Sequence, residues 1–313
     1  MKMKNLAITL VILSMMLVGV GCGQDGEVQQ DGDAVIAVGS KEFTEQLILG
    51  QLTIQLLEEE GYDVIDNTGL SGTAILRDAF LDGEVDVKWE YTGTALISHL
   101  GHDEAITDSE ECYEAVKEED LEENGVVWLD YAGLDNTYTL IMREDYAEEA
   151  GIQSMSDLAE AVNEGETPPT GGEWVLASNE EYATRDDGME GVEETYGFEF
   201  EDVDIMEPGI IYGVVRDGEA PVGMGFMTDG RIDGYDLITL EDDKGFHPAY
   251  NAAPNVREEV LDEHPELEDI LAKLTERLDN ETMQQLNAKV DIDGYQPEEA
   301  AEEYLVEEGL ISE

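Results

Sequence analysis

Charge narrows the choices for this chain more than any other feature. Its 77 acidic side chains face 15 basic ones, giving a formal net charge of −62 over 313 residues. Self-repulsion of that size disfavours a compact state at low ionic strength. In concentrated salt the Debye length falls to roughly 3 Å at 1 M, and most of the penalty is screened. The chain is nevertheless 42% hydrophobic, too apolar for a disordered acidic polymer. Its acidic residues are dispersed, as at Glu58-Glu59-Glu60, Asp242-Asp243 and Glu298-Glu299, rather than gathered in one tail. The sequence therefore predicts a folded protein with a solvated acidic surface suited to high salt. The alternative is an acidic face for a basic partner. No nucleic-acid partner is expected, because phosphate contacts need Lys and Arg.

The N-terminus reads as an export signal. Lys2 and Lys4 precede an apolar run from Leu6 to Val20, then Gly21-Cys22 and a polar stretch. The run is short for a membrane-spanning helix. Cys22 directly after a small residue resembles a lipoprotein processing site, although Gly19 stands where an aliphatic is usual. Residues 1–22 are thus expected to be a lipoprotein signal and 23–33 a flexible acidic linker, with the mature protein outside the cell membrane, anchored through lipidated Cys22. A plain cleaved signal is the alternative. Cys112 is the other cysteine, so no disulfide is expected. Scattered histidines and the lack of a P-loop sequence predict no metal site, no cofactor and no ATP hydrolysis by this chain.

From Ala34 onward, short apolar runs alternate with helical periodicity, which predicts an α/β fold. Strands are expected at 35–38, 63–65, 85–89, 126–129, 139–142, 174–177, 198–205, 222–226 and 249–253. Helices are expected between them, with three more at about 258–278, 281–288 and 297–308. Ser154-x-x-Asp157 has the form of a helix cap. The pattern fits two lobes with a ligand cleft between them, residues 34–135 plus 246–313 forming one and 136–245 the other.

Three small polar turns join a strand-like run to a helix start: Gly39-Ser40-Lys41-Glu42-Phe43-Thr44, Glu90-Tyr91-Thr92-Gly93-Thr94 and Phe226-Met227-Thr228-Asp229. Ligands of open α/β sheets bind at such carboxyl ends of strands. Tyr91, Tyr138, Phe226 and Tyr250 each follow or end a strand-like run. Their ring faces could hold a quaternary ammonium, or they could be core aromatics; spacing alone leaves both open. Trp89 and Tyr212 are read as packing residues, and Thr228-Asp229 as ordering a helix start.

The stretches Val38-Gly39-Ser40-Lys41-Glu42-Phe43-Thr44-Glu45-Gln46, Gly69-Leu70-Ser71-Gly72-Thr73, Glu90-Tyr91-Thr92-Gly93-Thr94-Ala95 and Glu181-Tyr182-Ala183-Thr184-Arg185-Asp186-Asp187-Gly188 resemble the glycine betaine, choline and proline-betaine binding proteins of ABC importers, nearest to the ProX/OpuC-type group. The resemblance spans nearly the whole mature chain. It implies a periplasmic-binding-protein-like (type II) fold that closes on its ligand. By matching motif it puts Tyr91, Tyr138, Tyr250 and Phe226 in an aromatic box, Phe226 standing where a Tyr is usual. It puts Lys41, Thr94 and Arg185 on the ligand carboxylate. Glu181 falls on a lobe-closing position, and Asn136 stands where an Asp is expected. The implied partners are a quaternary-ammonium ligand, an ABC permease and its ATPase. The alternatives are a sensor or chemoreceptor accessory for the same solutes, and an enzyme acting on a small zwitterion. The sequence supplies no nucleophile–base pair or cofactor fingerprint for the latter.

Overall fold

A computed structural model describes residues 35–312; the signal, linker and Cys22 readings fall outside them. The hydrophobic runs become ten strands in two sheets. They are β1 (Val35–Lys41), β2 (Asp63–Leu70), β3 (Val87–Tyr91), β4 (Val126–Trp128), β5 (Tyr138–Arg143), β6 (Val175–Ser178), β7 (Asp202–Ile205), β8 (Val222–Phe226), β9 (Leu237–Thr239) and β10 (Ala252–Arg257). The first sheet runs β2-β1-β3-β10-β4 and the second β7-β6-β8-β5-β9. In the first, β1 pairs in parallel with β2 and β3, while β10 runs antiparallel to β3 and β4. The second repeats the plan, with β6 parallel to β7 and β8, and β5 antiparallel to β8 and β9.

Central strands read as continuous apolar runs because both faces are covered. Val38, Val87, Leu140, Leu176 and Val222 are fully buried accordingly. Helices such as Thr44–Glu59 pack on the first sheet, and Pro208–Arg216 packs on the second. The chain passes between sheets after β4 and returns before β10. The two passages lie side by side, joined by an antiparallel bridge between Asp135 and Asn251 and by the Asn136 amide donating to Tyr250 O at 3.0 Å. This is a two-lobed α/β fold whose paired crossings join the lobes.

Three expected elements differ. The helix expected over 258–278 is two, Glu258–Glu263 and Glu266–Thr275. Pro265 lacks an N–H and pushes His264 out of the helical region. The strand expected at 249–253 lies instead at Ala252–Arg257, because residues 249–251 belong to the return crossing. Pro254 costs β10 one donor, but its carbonyl still accepts from Leu129 N at 3.0 Å. The strand expected from Phe198 begins at Asp202; Phe198 and Phe200 instead pack edge to face, 5.0 Å apart, beneath it. The Ser154 capping box forms as read.

Candidate functional site

The three polar turns meet at the cleft. Lys41 ends β1 and is buried, its Nζ donating to Glu90 Oε1 at 2.8 Å. Glu90 lies inside β3 and also receives Lys88 Nζ at 2.9 Å and faces the His99 ring at 3.2 Å. Burial alone would raise the Glu90 carboxyl, but Lys41 and Lys88 hold it well below the usual range. Burial pulls Lys88 down to about 8 and His99 down to about 4. Charge beneath the site is therefore fixed by a buried lattice rather than by surface ions.

Arg185 is likewise engaged. Its Nε and Nη2 meet both oxygens of Asp187 at 2.6 and 2.5 Å, and Nη1 donates to Glu181 at 2.9 Å. This bidentate fork is the strong form of the contact. Glu181 in turn accepts from Thr73 Oγ1 of the first lobe at 2.5 Å, so its carboxylate spans the cleft mouth. Burial opposes its ionisation, but Lys41, Thr73 and Arg185 keep the Glu181 carboxyl below the ordinary value. Asp187 also accepts from the Tyr250 hydroxyl, which steers that ring.

The aromatic rings form one connected cluster. Tyr138 lies 5.0 Å from Phe226, 5.4 Å edge-on from Tyr250 and 5.1 Å from Tyr182. Phe43 stacks between Phe226 at 5.3 Å and Tyr91 at 6.4 Å. Lys41 Nζ stands 5.2 Å from the Tyr91 ring centre, and the Arg185 guanidinium 5.3 Å from that of Tyr138. A cavity of about 30 Å³ touches Lys41, Tyr91, Thr94, Tyr138, Glu181 and Tyr250. A second of about 160 Å³ lies beyond Phe43 against Glu45, Thr228 and Asn287; Phe43, Phe226 and Asn136 border both.

Every expected site residue within the described range except Arg185 lines one of these cavities, and Arg185 lies against two lining residues, Tyr138 and Glu181. Asn136 lies at the back of this region, donating from Nδ2 to Glu45 Oε1 at 2.8 Å. Phe43, Tyr182, Asp187 and Thr73 were not singled out from sequence. Phe43 stands in the quoted turn just before the helix, where one more apolar ring looks like core. Thr228 does not cap a helix; its hydroxyl reaches Glu45 at 2.5 Å, while Asp229 holds Arg231 N and side chain. Trp89 and Tyr212 are buried packing residues, with Tyr212 OH accepting from Phe226 N at 2.9 Å.

The chain as a whole has relatives among known proteins. Residues 34–307 match the family described as the substrate binding domain of ABC-type glycine betaine transport system. The chain is 40% identical over 305 residues to a glycine-betaine-binding protein of Pseudomonas aeruginosa, covering 97% of this chain and 96% of that one. It is 30% identical over 294 residues to the chemotactic signal transduction system substrate-binding protein CosB of Halobacterium salinarum, covering 88% and 84%. The crystal structure of a glycine betaine/carnitine/choline ABC transporter protein superposes with a TM-score of 0.72 at 27% identity, over 90% of this chain and 100% of that one. The chain belongs to the family of substrate-binding domains of ABC-type glycine betaine transport systems.

Proposed function

We propose that this protein captures glycine betaine, or a related solute with a quaternary-ammonium head, between Tyr91, Tyr138, Phe226 and Tyr250. The observation that carries the reading is a single aromatic cluster drawn from both lobes beside two buried cations. A trimethylammonium group accepts no hydrogen bond and cannot be approached closely by a carboxylate. Ring faces match it, at about 0.5–2 kcal/mol per desolvated contact. Phe43 is a fifth ring wall. Thr94, Lys41 and Arg185 would receive a ligand carboxylate. Since Lys41 and Arg185 already hold Glu90, Asp187 and Glu181, that carboxylate enters as an added or exchanged partner, with Glu181 at the mouth the displaceable one.

Residues 34–135 with 246–313 would move as one lobe and 136–245 as the other, with closure supported by Glu181 and Asn136. The closed form would dock on a permease served by a separate ATPase, and the chain itself would carry no chemistry. Among the described residues no helix is long and apolar enough to cross a membrane. The placement we favour is extracytoplasmic, tethered by lipidated Cys22, in a salt-rich habitat. A second reading, a receptor-coupled sensor for the same solutes, is favoured by the likeness to CosB.

A melting panel in molar KCl tests the ligand class, since a ligand bound only by the folded state raises Tm. Glycine betaine, proline betaine, carnitine or choline should raise it by several degrees, while glucose and glutamate should not. A panel in which no quaternary amine acts would refute the reading.

A further inference from the structure

Beneath Tyr91 lies a carboxylate that the reading above does not use. Glu45, in the first turn of the helix Thr44–Glu59, is 3% exposed. Its Oε1 accepts from the Tyr91 hydroxyl at 2.7 Å and Asn136 Nδ2 at 2.8 Å. Its Oε2 accepts from Thr228 Oγ1 at 2.5 Å and Asn287 Nδ2 at 3.3 Å. All four partners are neutral, and all four donate. The two amides can only donate, which favours an ionised carboxylate, whereas the Tyr91 and Thr228 hydroxyls can donate or accept. Burial raises the Glu45 carboxyl above its ordinary value, and the four hydrogen bonds offset only part of that.

The surrounding charges leave Glu45 without a counter-ion. Lys41 and Lys88 share Glu90, and Arg185 is matched by Asp187 and Glu181. Arg231, which borders the larger cavity with Glu45, is held by Asp229 and Asp291. Among the described residues Glu45 thus has no salt-bridge partner, and it is bonded to the hydroxyl of a box ring. Asn136 supports this assignment. An Asp there would set a second carboxylate where the amide now donates at 2.8 Å, and like charges that close cannot both stay ionised.

We propose that Glu45 is a specificity-determining residue, whose buried charge takes the ligand's quaternary ammonium as its counter-ion across the Tyr91 ring. The inference rests on the reading of the site as one for quaternary ammonium. Charges about 7 Å apart, at an effective dielectric of about 20, change affinity by roughly tenfold to a hundredfold. Glu45 would thereby reward positive charge and not merely the shape of three methyl groups.

The test compares glycine betaine with 3,3-dimethylbutanoate, which replaces the charged nitrogen by carbon at nearly the same shape. In the native protein glycine betaine should bind at least tenfold more tightly. In Glu45→Gln it should weaken tenfold or more while 3,3-dimethylbutanoate holds or gains, so that the preference collapses. Thr228→Val removes the bond to the second lobe but keeps the charge, and should shift both ligands together. Parallel loss of both ligands in Glu45→Gln, or collapse of the preference in Thr228→Val, would overturn the proposal. If Glu45→Gln does not fold, the native preference decides, and two ligands bound within threefold of each other overturn it. A native protein that takes no quaternary amine removes the functional reading itself, a different failure from a native protein that binds them without regard to charge.

Discussion

Arg185 enters any ligand complex already committed to Asp187 and Glu181, so its value to a ligand carboxylate is the gain over those contacts. A charged hydrogen bond contributes about 1.5–3 kcal/mol. Arg185→Ala should therefore weaken glycine betaine by roughly tenfold to a hundredfold and choline, which has no carboxylate, by much less. Titration of both ligands decides it, and equal losses would count against the carboxylate role. Phe226→Ala should weaken every quaternary amine by about twofold to thirtyfold, the range of one ring contact. Tyr91, Tyr138, Phe226 and Tyr250 were legible as aromatics that follow or end strand-like runs, and only the resemblance grouped them as a box. The partners of Lys41 and Arg185 were not legible. Lys41 and Glu90 are 49 positions apart, and only the pairing of β1 with β3 brings them together. Asp187 was within the quoted stretch, but nothing in its spacing distinguished a clamp on Arg185 and Tyr250 from a surface acid.

At the scale of elements, the β3 turn shows how packing places a ring. A Cβ on Gly93 would lie 2.9 Å from Ala249 O and 2.9 Å from Tyr250 Cδ1, closer than such atoms approach. Gly93→Ala should thus cost about 1–3 kcal/mol of stability by overpacking and weaken ligand by displacing Tyr250; urea unfolding and titration in molar KCl check both. His99, in the segment after that turn, is buried and held neutral down to about pH 4, while the unfolded chain protonates it near pH 6.5. Between those values the unfolded state binds more protons, so stability falls as pH drops from about 6.5 to about 4. In His99→Gln this part of the slope should flatten; an unchanged profile would assign it to other groups. Element identity was largely readable from periodicity and from capping at Ser154. Boundaries failed where tertiary context intervened, at the Pro265 break and at the crossing that takes residues 249–251 away from β10.

For the whole molecule, the net charge of −62 argues that the folded state needs screening. The melting temperature should rise steeply as KCl is increased from about 0.1 M to 1 M, and a flat response would contradict the high-salt reading. The two-lobed plan was legible in the alternation of strands and helices, because each lobe repeats one topology. The antiparallel return of β10 was not, since pairing over long sequence distance leaves no local signal. The reading proposed above gives the two lobes one task, the capture of a quaternary ammonium between rings contributed by both. Isothermal titration of the protein with glycine betaine in molar KCl measures that event directly. The account predicts saturable binding of one ligand per chain, reduced in Tyr138→Ala, whose ring contacts Phe226, Tyr250 and Tyr182. Folded protein that gives no binding heat with glycine betaine, proline betaine, carnitine or choline would contradict it.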